Sequence, residues 1–252
     1  MNLIRISAVS FLNTYPFIYG LKNSSVIDKI DLSVDIPSIC ARKLLDGTVD
    51  IGLVPVTAMS ALNFCDIISP YCIGAIQKVR TVMMFSKAQL IDLKKIYLDY
   101  QSNTSNQLIK VLSTFYWKIK VEFEMIEPDQ SVELTENEAR VVIGDRVFEF
   151  EKKYPFVFDL AEEWNRFTNL PFVFAAWVSN KTIDIDFKNE FNEALKDGIN
   201  SIDRMLAENF QQVNSFPGVD TYYTQNISYQ LDNLKEEGMK LFFKYIKYLN
   251  QI

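Results

Sequence analysis

Residues 49–56, Val-Asp-Ile-Gly-Leu-Val-Pro-Val, form a nearly continuous apolar run that follows the turn signal Asp46-Gly47. An apolar run with so little polar alternation is typical of a strand that is buried on both faces. Similar runs at residues 3–9 and 32–36 are separated from it by short helical patterns. This alternation predicts an α/β protein whose first sheet is parallel and covered by helices on both faces.

Further elements extend the pattern along the chain. Residues 65–75 and 79–86 are interpreted as a hairpin-like pair of strands, and residues 95–99 begin a second, smaller strand–helix series. Apolar residues at three- and four-residue spacing predict helices over residues 187–210 and 225–249.

The domain organisation follows from these groups. The chain of 252 residues is long enough for two ordinary domains. We predict two lobes, the first formed by residues 1–88 with 176–252 and the second by residues 89–175. A ligand cleft is expected between the lobes, at the carboxyl ends of the strands.

The composition limits the binding partners and the cellular location that we expect for this protein. Acidic residues (32) outnumber basic residues (26), and no lysine or arginine cluster is present, so nucleic acid is not expected as a partner. No apolar run reaches the roughly 18 residues of a membrane span, and the N-terminus enters a strand pattern without a signal peptide. A cytoplasmic protein with no membrane partner is therefore expected. Cys40, Cys65 and Cys72 show no Cys-x-x-Cys spacing and are expected to be reduced and buried.

The chain contains no histidine, and this absence is the most informative feature of the composition. It excludes Ser-His-Asp and Cys-His machinery and the usual histidine-based metal sites. No Gly-x-Gly pair is present, which excludes the dinucleotide fingerprint, and Leu53 and Val54 follow Gly52 where a phosphate loop requires Lys and Ser or Thr. We predict no cofactor and no metal, so any catalysis must use hydroxyls, amides, carboxylates, lysines or groups of the substrate.

Asn13 follows the first predicted strand and precedes a helix that Pro16 is placed to open. Open α/β sheets bind ligands at this position, and an amide both donates and accepts hydrogen bonds. The alternative is an N-terminal helix cap, because asparagine is a preferred capping residue.

Ser102, Thr104 and Ser105 lie between the predicted strand at 95–99 and the helix that follows it. Hydroxyls and free N–H groups at a helix N-terminus suit a carboxylate ligand without any basic side chain. The alternative is again simple capping of the helix.

Three further groups of residues have mainly structural interpretations. Asp145 is either an ion-pair partner or an orienting acceptor, and Arg146 is expected to pair with Asp145 or Glu149. Trp164, Trp177, Phe172 and Phe174 are expected in the core. The pair Glu162-Glu163 is interpreted as a solvated helix face.

Several stretches, spread in order over nearly the whole chain, resemble the menaquinone-biosynthesis enzymes of the futalosine route, specifically the chorismate dehydratase branch. The main ones are residues 10–16 (Ser-Phe-Leu-Asn-Thr-Tyr-Pro), 44–56, 71–75 (Tyr-Cys-Ile-Gly-Ala), 143–145 (Ile-Gly-Asp), 159–164, 170–177 and 226–229 (Asn-Ile-Ser-Tyr). The resemblance implies a two-lobed fold of the type II periplasmic-binding-protein kind. It also implies removal of water from chorismate, which gives 3-[(1-carboxyvinyl)oxy]benzoate.

The resemblance also implies site residues. The asparagine of the family corresponds to Asn13, and its serine in a Val-x-Ser-Val stretch corresponds to Thr81, where this chain carries an extra methyl group. A family glycine is replaced by Asn169. The predicted catalytic residues are Asn13 and Thr81. The predicted substrate-binding residues are Thr14, Pro55, Val56, Ser102, Thr104, Ser105 and Asp145.

Two other functions stay open at this point. The first is a cytoplasmic binding or sensor protein that retains a small carboxylate without turnover. The second is the sister enzyme that acts on cyclic dehypoxanthine futalosine and is described as using a histidine base. The partner is expected to be a small molecule, and the oligomeric state is left open between monomer and homodimer.

Overall fold

The computed structural model describes residues 3–128, 130, 132–150, 152–216 and 218–251. The chain divides into two compact units, each built from two chain segments. The first unit comprises Met1–Gly74 and Val173–Asp232, and the second comprises Ala75–Phe172 and Asn233–Ile252.

The first unit is a six-stranded sheet with helices. Its strands are β1 (Ile4–Val9), β2 (Ile30–Asp35), β3 (Ile51–Pro55), β4 (Asp66–Ala75), β10 (Phe172–Ser179) and β11 (Ser228–Gln230). Its helices are α1 (Tyr15–Lys22), α2 (Pro37–Leu45), α5 (Ile185–Asn200), α6 (Ile202–Ala207) and α7 (Val219–Thr221). The strand order is β11-β4-β10-β3-β1-β2.

The second unit is a five-stranded sheet with α-helices. Its strands are β5 (Val82–Ser86), β6 (Lys95–Asp99), β7 (Glu122–Ile126), β8 (Glu138–Ile143) and β9 (Phe156–Asp159), in the order β7-β6-β8-β5-β9. Its helices are α3 (Asn103–Val111), α4 (Leu160–Thr168) and α8 (Asn233–Leu249).

Both sheets are mixed, whereas the sequence predicted a parallel first sheet. Strand β1 is parallel to β2 and β3, but β10 runs antiparallel to β3 and β11 runs antiparallel to β4. In the second sheet β6 is parallel to β7 and β8, while β5 is antiparallel to β8 and β9. An apolar strand buried on both faces has the same composition in either direction, so the sequence pattern did not reveal these reversals.

The unit boundaries differ from the predicted lobes at residues 75–88 and 233–252, which lie with the second unit, and at residues 173–175, which lie with the first. Strand β5 joins the second sheet, because it pairs with β8 and β9. The expected hairpin between residues 65–75 and 79–86 is therefore absent, since β4 and β5 belong to different sheets. Helix α8 contributes Phe242, which packs edge-on against Trp164 at 5.8 Å between ring centroids.

The C-terminal helices are shorter than predicted. The expected helix over 187–210 is divided between α5 and α6, and the expected helix over 225–249 begins only at Asn233. Residues 228–230 form β11 instead, because they pair with β4. The sequence pattern could not show this pairing, since it depends on contacts distant in the chain.

The expected core aromatic residues are buried: Trp164 and Trp177 are fully enclosed, and Phe172 and Phe174 are nearly so. Two expectations for other residues were wrong. Cys65 is exposed, whereas Cys40 and Cys72 are buried. Glu163 is buried rather than solvated.

The burial of Glu163 has a clear cause. Its carboxylate accepts hydrogen bonds from Trp117 Nε1 at 3.0 Å and from Arg166 at 2.6 Å. These contacts replace the hydrogen bonds to water that the carboxylate loses on burial. Among the described residues, no helix is long and apolar enough to cross a membrane.

Gly20 of α1 and Gly198 of α5 face each other where the two helices cross. A Cβ atom at Gly20 would overlap the carbonyl oxygen of Ala194, and a Cβ atom at Gly198 would overlap the carbonyl oxygen of Pro16. The close approach of the two helices therefore depends on both glycines.

We predict that Gly198→Ala destabilises the first unit by about 2 kcal/mol, because backbone atoms cannot move aside as a side chain can. Lys196→Ala on the same helix serves as the control, since the half-exposed Lys196 side chain pairs with exposed Glu193. Urea denaturation of both variants measures the effect. A stabilised Gly198→Ala, as expected for an unconstrained helical glycine, would contradict the prediction.

Asp50 directly precedes β3 and forms ion pairs at the edge of the first sheet where β1 and β3 begin. Its carboxylate contacts Arg5 at 2.7 Å and Lys181 at 2.9 Å. Burial alone would raise the pKa of Asp50, but hydrogen bonds from Arg5 and Lys181 lower it to about 2.

Because the folded-state pKa of Asp50 lies below its ordinary value, its contribution to stability is complete above about pH 4 and is lost as the pH falls towards 2. Arg5 and Lys181 are about half exposed, so we expect a contribution of only about 1–2 kcal/mol. Asp50→Asn should therefore lower stability at neutral pH and flatten its decline on acidification. Denaturation curves at several pH values test this, and a variant as acid-sensitive as the wild type would contradict it.

Candidate functional site

Asn13 lies in a single turn of 3-10 helix, Leu12–Thr14, between β1 and α1. Its side-chain Oδ1 accepts a hydrogen bond from Thr14 Oγ1 at 3.1 Å. Helix α1 starts without a side-chain cap, and its capping position is Thr14. The capping alternative for Asn13 is therefore wrong. Within the part of the chain that the structure describes, the amide Nδ2 of half-buried Asn13 makes no hydrogen bond.

Two buried tyrosines hold the backbone of this turn. The hydroxyl of Tyr223 donates to the carbonyl of Leu12 at 2.8 Å, and the hydroxyl of Tyr229 donates to the carbonyl of Asn13 at 3.0 Å. Burial raises the pKa of Tyr229 well above its ordinary value, so this hydroxyl keeps its proton. The contacts fix the backbone and leave the amide group of Asn13 to other partners.

The sequence pattern does not reveal either tyrosine as a support of the turn. Tyr229 belongs to a stretch that carried the family resemblance, but its role depends on packing across more than 200 residues of chain. Its ring packs edge-on against Phe17 of α1 at 5.2 Å between centroids.

The other predicted residues of the first unit lie at the same edge of its sheet. Thr14 is buried beside Asn13, and Pro55 and Val56 are buried where β3 ends. Strands β1 and β3 are parallel neighbours. Their carboxyl ends therefore meet at one edge, which carries all four residues.

The strand order also places predicted site residues of the second unit at one edge of its sheet. Thr81 precedes β5, whose first residue, Val82, pairs with Ile143 at the end of β8. Ser102 follows the end of β6, which is parallel to β8. Asp145 follows β8 directly, half-buried in the turn Gly144–Glu149. Thr81, Ser102 and Asp145 thus share one sheet edge.

Thr81 is buried, and its backbone is held in place. Its carbonyl accepts a hydrogen bond from Gly144 N at 2.9 Å. The preceding residue, Arg80, has a φ of 65°, a left-handed conformation that costs about 1 kcal/mol or more outside glycine. The Arg80 N–H donates to Asp159 Oδ2 at 2.7 Å.

Asp159 is a structural residue that sequence analysis did not identify. Its other carboxylate oxygen caps α4 by accepting from the N–H groups of Ala161 and Glu162. Burial raises the pKa of Asp159, although these backbone hydrogen bonds act in the opposite direction. One carboxylate therefore fixes both a helix terminus and the turn before Thr81.

The Ser102–Ser105 segment begins α3. Ser102 is the N-cap, and its Oγ accepts from Ser105 N at 3.3 Å and lies 3.0 Å from Ser105 Oγ. The capping interpretation is thus correct for Ser102. Thr104 and Ser105 are buried on the first turn of the helix. Anion binding by this segment stays a prediction.

The sequence suggests Asp145 or Glu149 as the partner of Arg146, but the structure pairs Arg146 with Asp99 at 2.6 Å. The buried carboxylate of Asp99 also accepts from Ile143 N at 3.2 Å and Gln101 N at 3.0 Å. Asp99 is better placed than Asp145 because it terminates β6 beside the end of β8. This carboxylate joins the loops that follow the two strands.

Asn169, like Thr81, differs from the residue of the family that this chain resembles, and the structure explains this difference. Asn169, at the end of α4, has a φ of 59°. Asparagine tolerates this left-handed conformation, so it serves where the family has glycine. Among the described residues, no group of three or more Cys, Asp or Glu side chains is placed to hold a metal ion.

The architecture has counterparts among solved structures. A protein of Archaeoglobus fulgidus superposes with a TM-score of 0.70 at 14% identity, covering 99% of this chain and 98% of that one. The alkanesulfonate-binding protein of Xanthomonas axonopodis pv. citri, bound to MOPS, has a TM-score of 0.64 at 12% identity, covering 99% and 92%. A Candida albicans protein with the generic periplasmic-binding-protein fold has a TM-score of 0.61 at 10% identity, covering 100% and 91%.

These similarities place the chain in the class of α/β proteins with the periplasmic-binding-protein fold, as the sequence predicted. Residues 4–248 match the protein family described as menaquinone biosynthesis. Because the match spans nearly the whole chain, the chain belongs to this family, and the predicted family membership is confirmed.

The support of the Asn13 turn can be tested through stability. We predict that Tyr229→Phe lowers the free energy of unfolding by about 1–2 kcal/mol, because the carbonyl of half-buried Asn13 loses its donor. Tyr71→Phe is the matched control, since the Tyr71 hydroxyl has no hydrogen bond to the described residues. Equal effects of the two substitutions in urea denaturation would contradict the role of Tyr229.

Proposed function

We propose that this protein is a chorismate dehydratase, which removes water from chorismate to give 3-[(1-carboxyvinyl)oxy]benzoate in menaquinone biosynthesis through futalosine. Membership of the menaquinone biosynthesis family supports a role in that pathway. The observation that carries the more specific proposal is Asn13, whose backbone is fixed by two tyrosines while its amide Nδ2 bonds to no described residue.

The reaction suits a chain without histidine. The C3–H bond of chorismate breaks, its electrons form the C3–C4 double bond, and hydroxide leaves C4. The ring carboxylate acidifies the C3 proton through the diene, and the product ring is aromatic. In the proposed mechanism the enolpyruvyl carboxylate of the substrate takes the proton, so the protein mainly positions the substrate and stabilises charge.

The proposal assigns roles to individual residues. Asn13 and Thr81 hydrogen-bond the C4 hydroxyl or the enolpyruvyl carboxylate. Thr104 and Ser105 hold a carboxylate at the start of α3, where the N–H groups of the first turn favour an anion. No metal or organic cofactor takes part in this scheme.

The test of the proposal is incubation of the purified, metal-free protein with chorismate, followed by chromatography and mass analysis. The proposal requires a product lighter by one water with the spectrum of an aromatic enol ether. Binding of chorismate without conversion would favour the sensor function. Conversion of cyclic dehypoxanthine futalosine instead would favour the sister enzyme.

We predict that Asn13→Ala lowers kcat by about 10²–10³ with little change in stability, because a preorganised donor to a developing charge is lost. The matched control is Asn23→Ala at the other end of α1, whose Nδ2 donates to the Tyr19 carbonyl at 2.8 Å. Steady-state kinetics and thermal unfolding of both variants measure the effects. Full turnover by Asn13→Ala with unchanged substrate affinity would remove Asn13 from the mechanism.

The hydroxyl of Thr81 can be separated from its methyl group. We expect Thr81→Ser to retain turnover within a few-fold, and Thr81→Val, which keeps the shape, to lose about tenfold or more in kcat. A Thr81→Val enzyme as active as the wild type would show that the hydroxyl has no part in the reaction.

A further inference from the structure

A cavity of about 350 Å³ lies within the second unit, beyond the ends of its central strands. It is lined by Asp99, Tyr100, Gln101, Ile126, Glu127, Gln130, Arg140 and Arg146. None of the residues proposed above for chorismate is in this lining. The volume is at the lower end of the range for small-molecule sites.

Arg140 is the unusual member of this lining. Its guanidinium packs over the ring of Phe150 at 4.6 Å, and its Nη1 makes one long hydrogen bond, 3.5 Å, to the carbonyl of Val132. Its Nε is enclosed and has no hydrogen-bond partner among the described residues. Burial lowers the pKa of Arg140, and the nearby charge of Arg146 acts in the same direction, whereas Tyr154 and Asp99 act in the opposite direction.

Arg140 forms no ion pair with the described residues, although Asp99 is near enough to favour its charged form. Arg146 is neutralised by Asp99, which also receives two backbone N–H groups. Glu127 lines the cavity, but within the described part of the chain no carboxylate comes within ion-pair distance of Arg140. A partly buried guanidinium without a counter-ion is costly, and an anion in the cavity would offset that cost.

We propose that this cavity binds a small organic monocarboxylate with a planar apolar body, and that Arg140 is its ion-pair partner. A guanidinium matches the two oxygens of a carboxylate. Tyr100 and Ile126 provide apolar surface for the body of the ligand, and Gln101 and Gln130 provide amide groups. Asp99 and Glu127 disfavour a dianion such as phosphate. This second ligand site goes beyond chorismate dehydration and does not depend on it.

The test uses benzoate as the probe and isothermal titration calorimetry of the full-length protein. Benzamide has the same shape without the charge, so it separates ion pairing from apolar burial. We expect benzoate to bind with one-to-one stoichiometry and benzamide to bind at least about tenfold more weakly.

Two variants locate the site. Arg140→Gln should weaken benzoate binding by about tenfold or more, whereas Arg204→Gln, which removes an exposed arginine of the first unit, should have no effect. Gln101→Glu gives a second test if Arg140→Gln fails to fold. A glutamate there can still accept the hydrogen bond that Arg146 donates to Gln101 at 3.0 Å, but it adds a negative charge that should repel benzoate.

The Thr104→Ala, Ser105→Ala double variant distinguishes this cavity from the chorismate site. The proposal requires that it bind benzoate as the wild type does. The proposal is overturned if benzoate does not bind, if benzamide binds equally well, or if the double variant alone loses binding. It is also overturned if Arg140→Gln, or Gln101→Glu in its place, leaves benzoate affinity unchanged. None of these outcomes bears on the turnover of chorismate.

Discussion

The candidate site of the first unit depends on one constraint. Two buried tyrosine hydroxyls donate hydrogen bonds to the consecutive backbone carbonyls of the turn that carries Asn13. Tyr223 and Tyr229 hold Leu12 and Asn13 from more than 200 residues further along the chain. Because the contacts are made to the backbone, they set the position of the turn without using the side-chain amide. An amide held in this way loses little conformational freedom when it meets a ligand, and such preorganisation is what electrostatic catalysis requires.

Buried carboxylates serve the same purpose in the second unit. Asp159 fixes the strained residue before Thr81 and the start of α4. Asp99 joins the ends of β6 and β8 through Ile143 and Arg146. Both aspartates are therefore structural, and the residues with proposed chemical roles are neutral: amides and hydroxyls. This division is consistent with a reaction whose substrate supplies its own charged groups.

Much of the fold was predictable from local patterns. Proline at the start of α1, apolar runs at β1 and β3, and the capping residue Ser102 each reflect short-range preferences, and the structure confirms these elements. The direction of β10, the assignment of β5 to the second sheet and the start of α8 depend on pairing between distant segments. Local sequence carries little information about such pairing.

The candidate site shows the same limit. Asn13 was predicted from its place after the first strand, Thr81 was predicted through the family resemblance, and topology places each at the sheet edge expected for ligands. The partner of Arg146 was not recognised, because Asp99 is 47 residues away and adjacent strands bring the two together. Arg140 could not be singled out from the sequence either, because its lack of an ion pair with the described residues depends on how all the neighbouring side chains are placed.

The central claim is that catalysis here relies on positioned neutral groups and on the carboxylate of the substrate, without a protein base that titrates near neutrality. Histidine is the side chain that ordinarily titrates in this range, and the chain has none. The most direct measurement is the pH dependence of kcat for chorismate dehydration between about pH 6 and pH 8. The account predicts a profile that is flat within about twofold over this range. A sigmoidal or bell-shaped profile with an apparent pKa inside the range would contradict it.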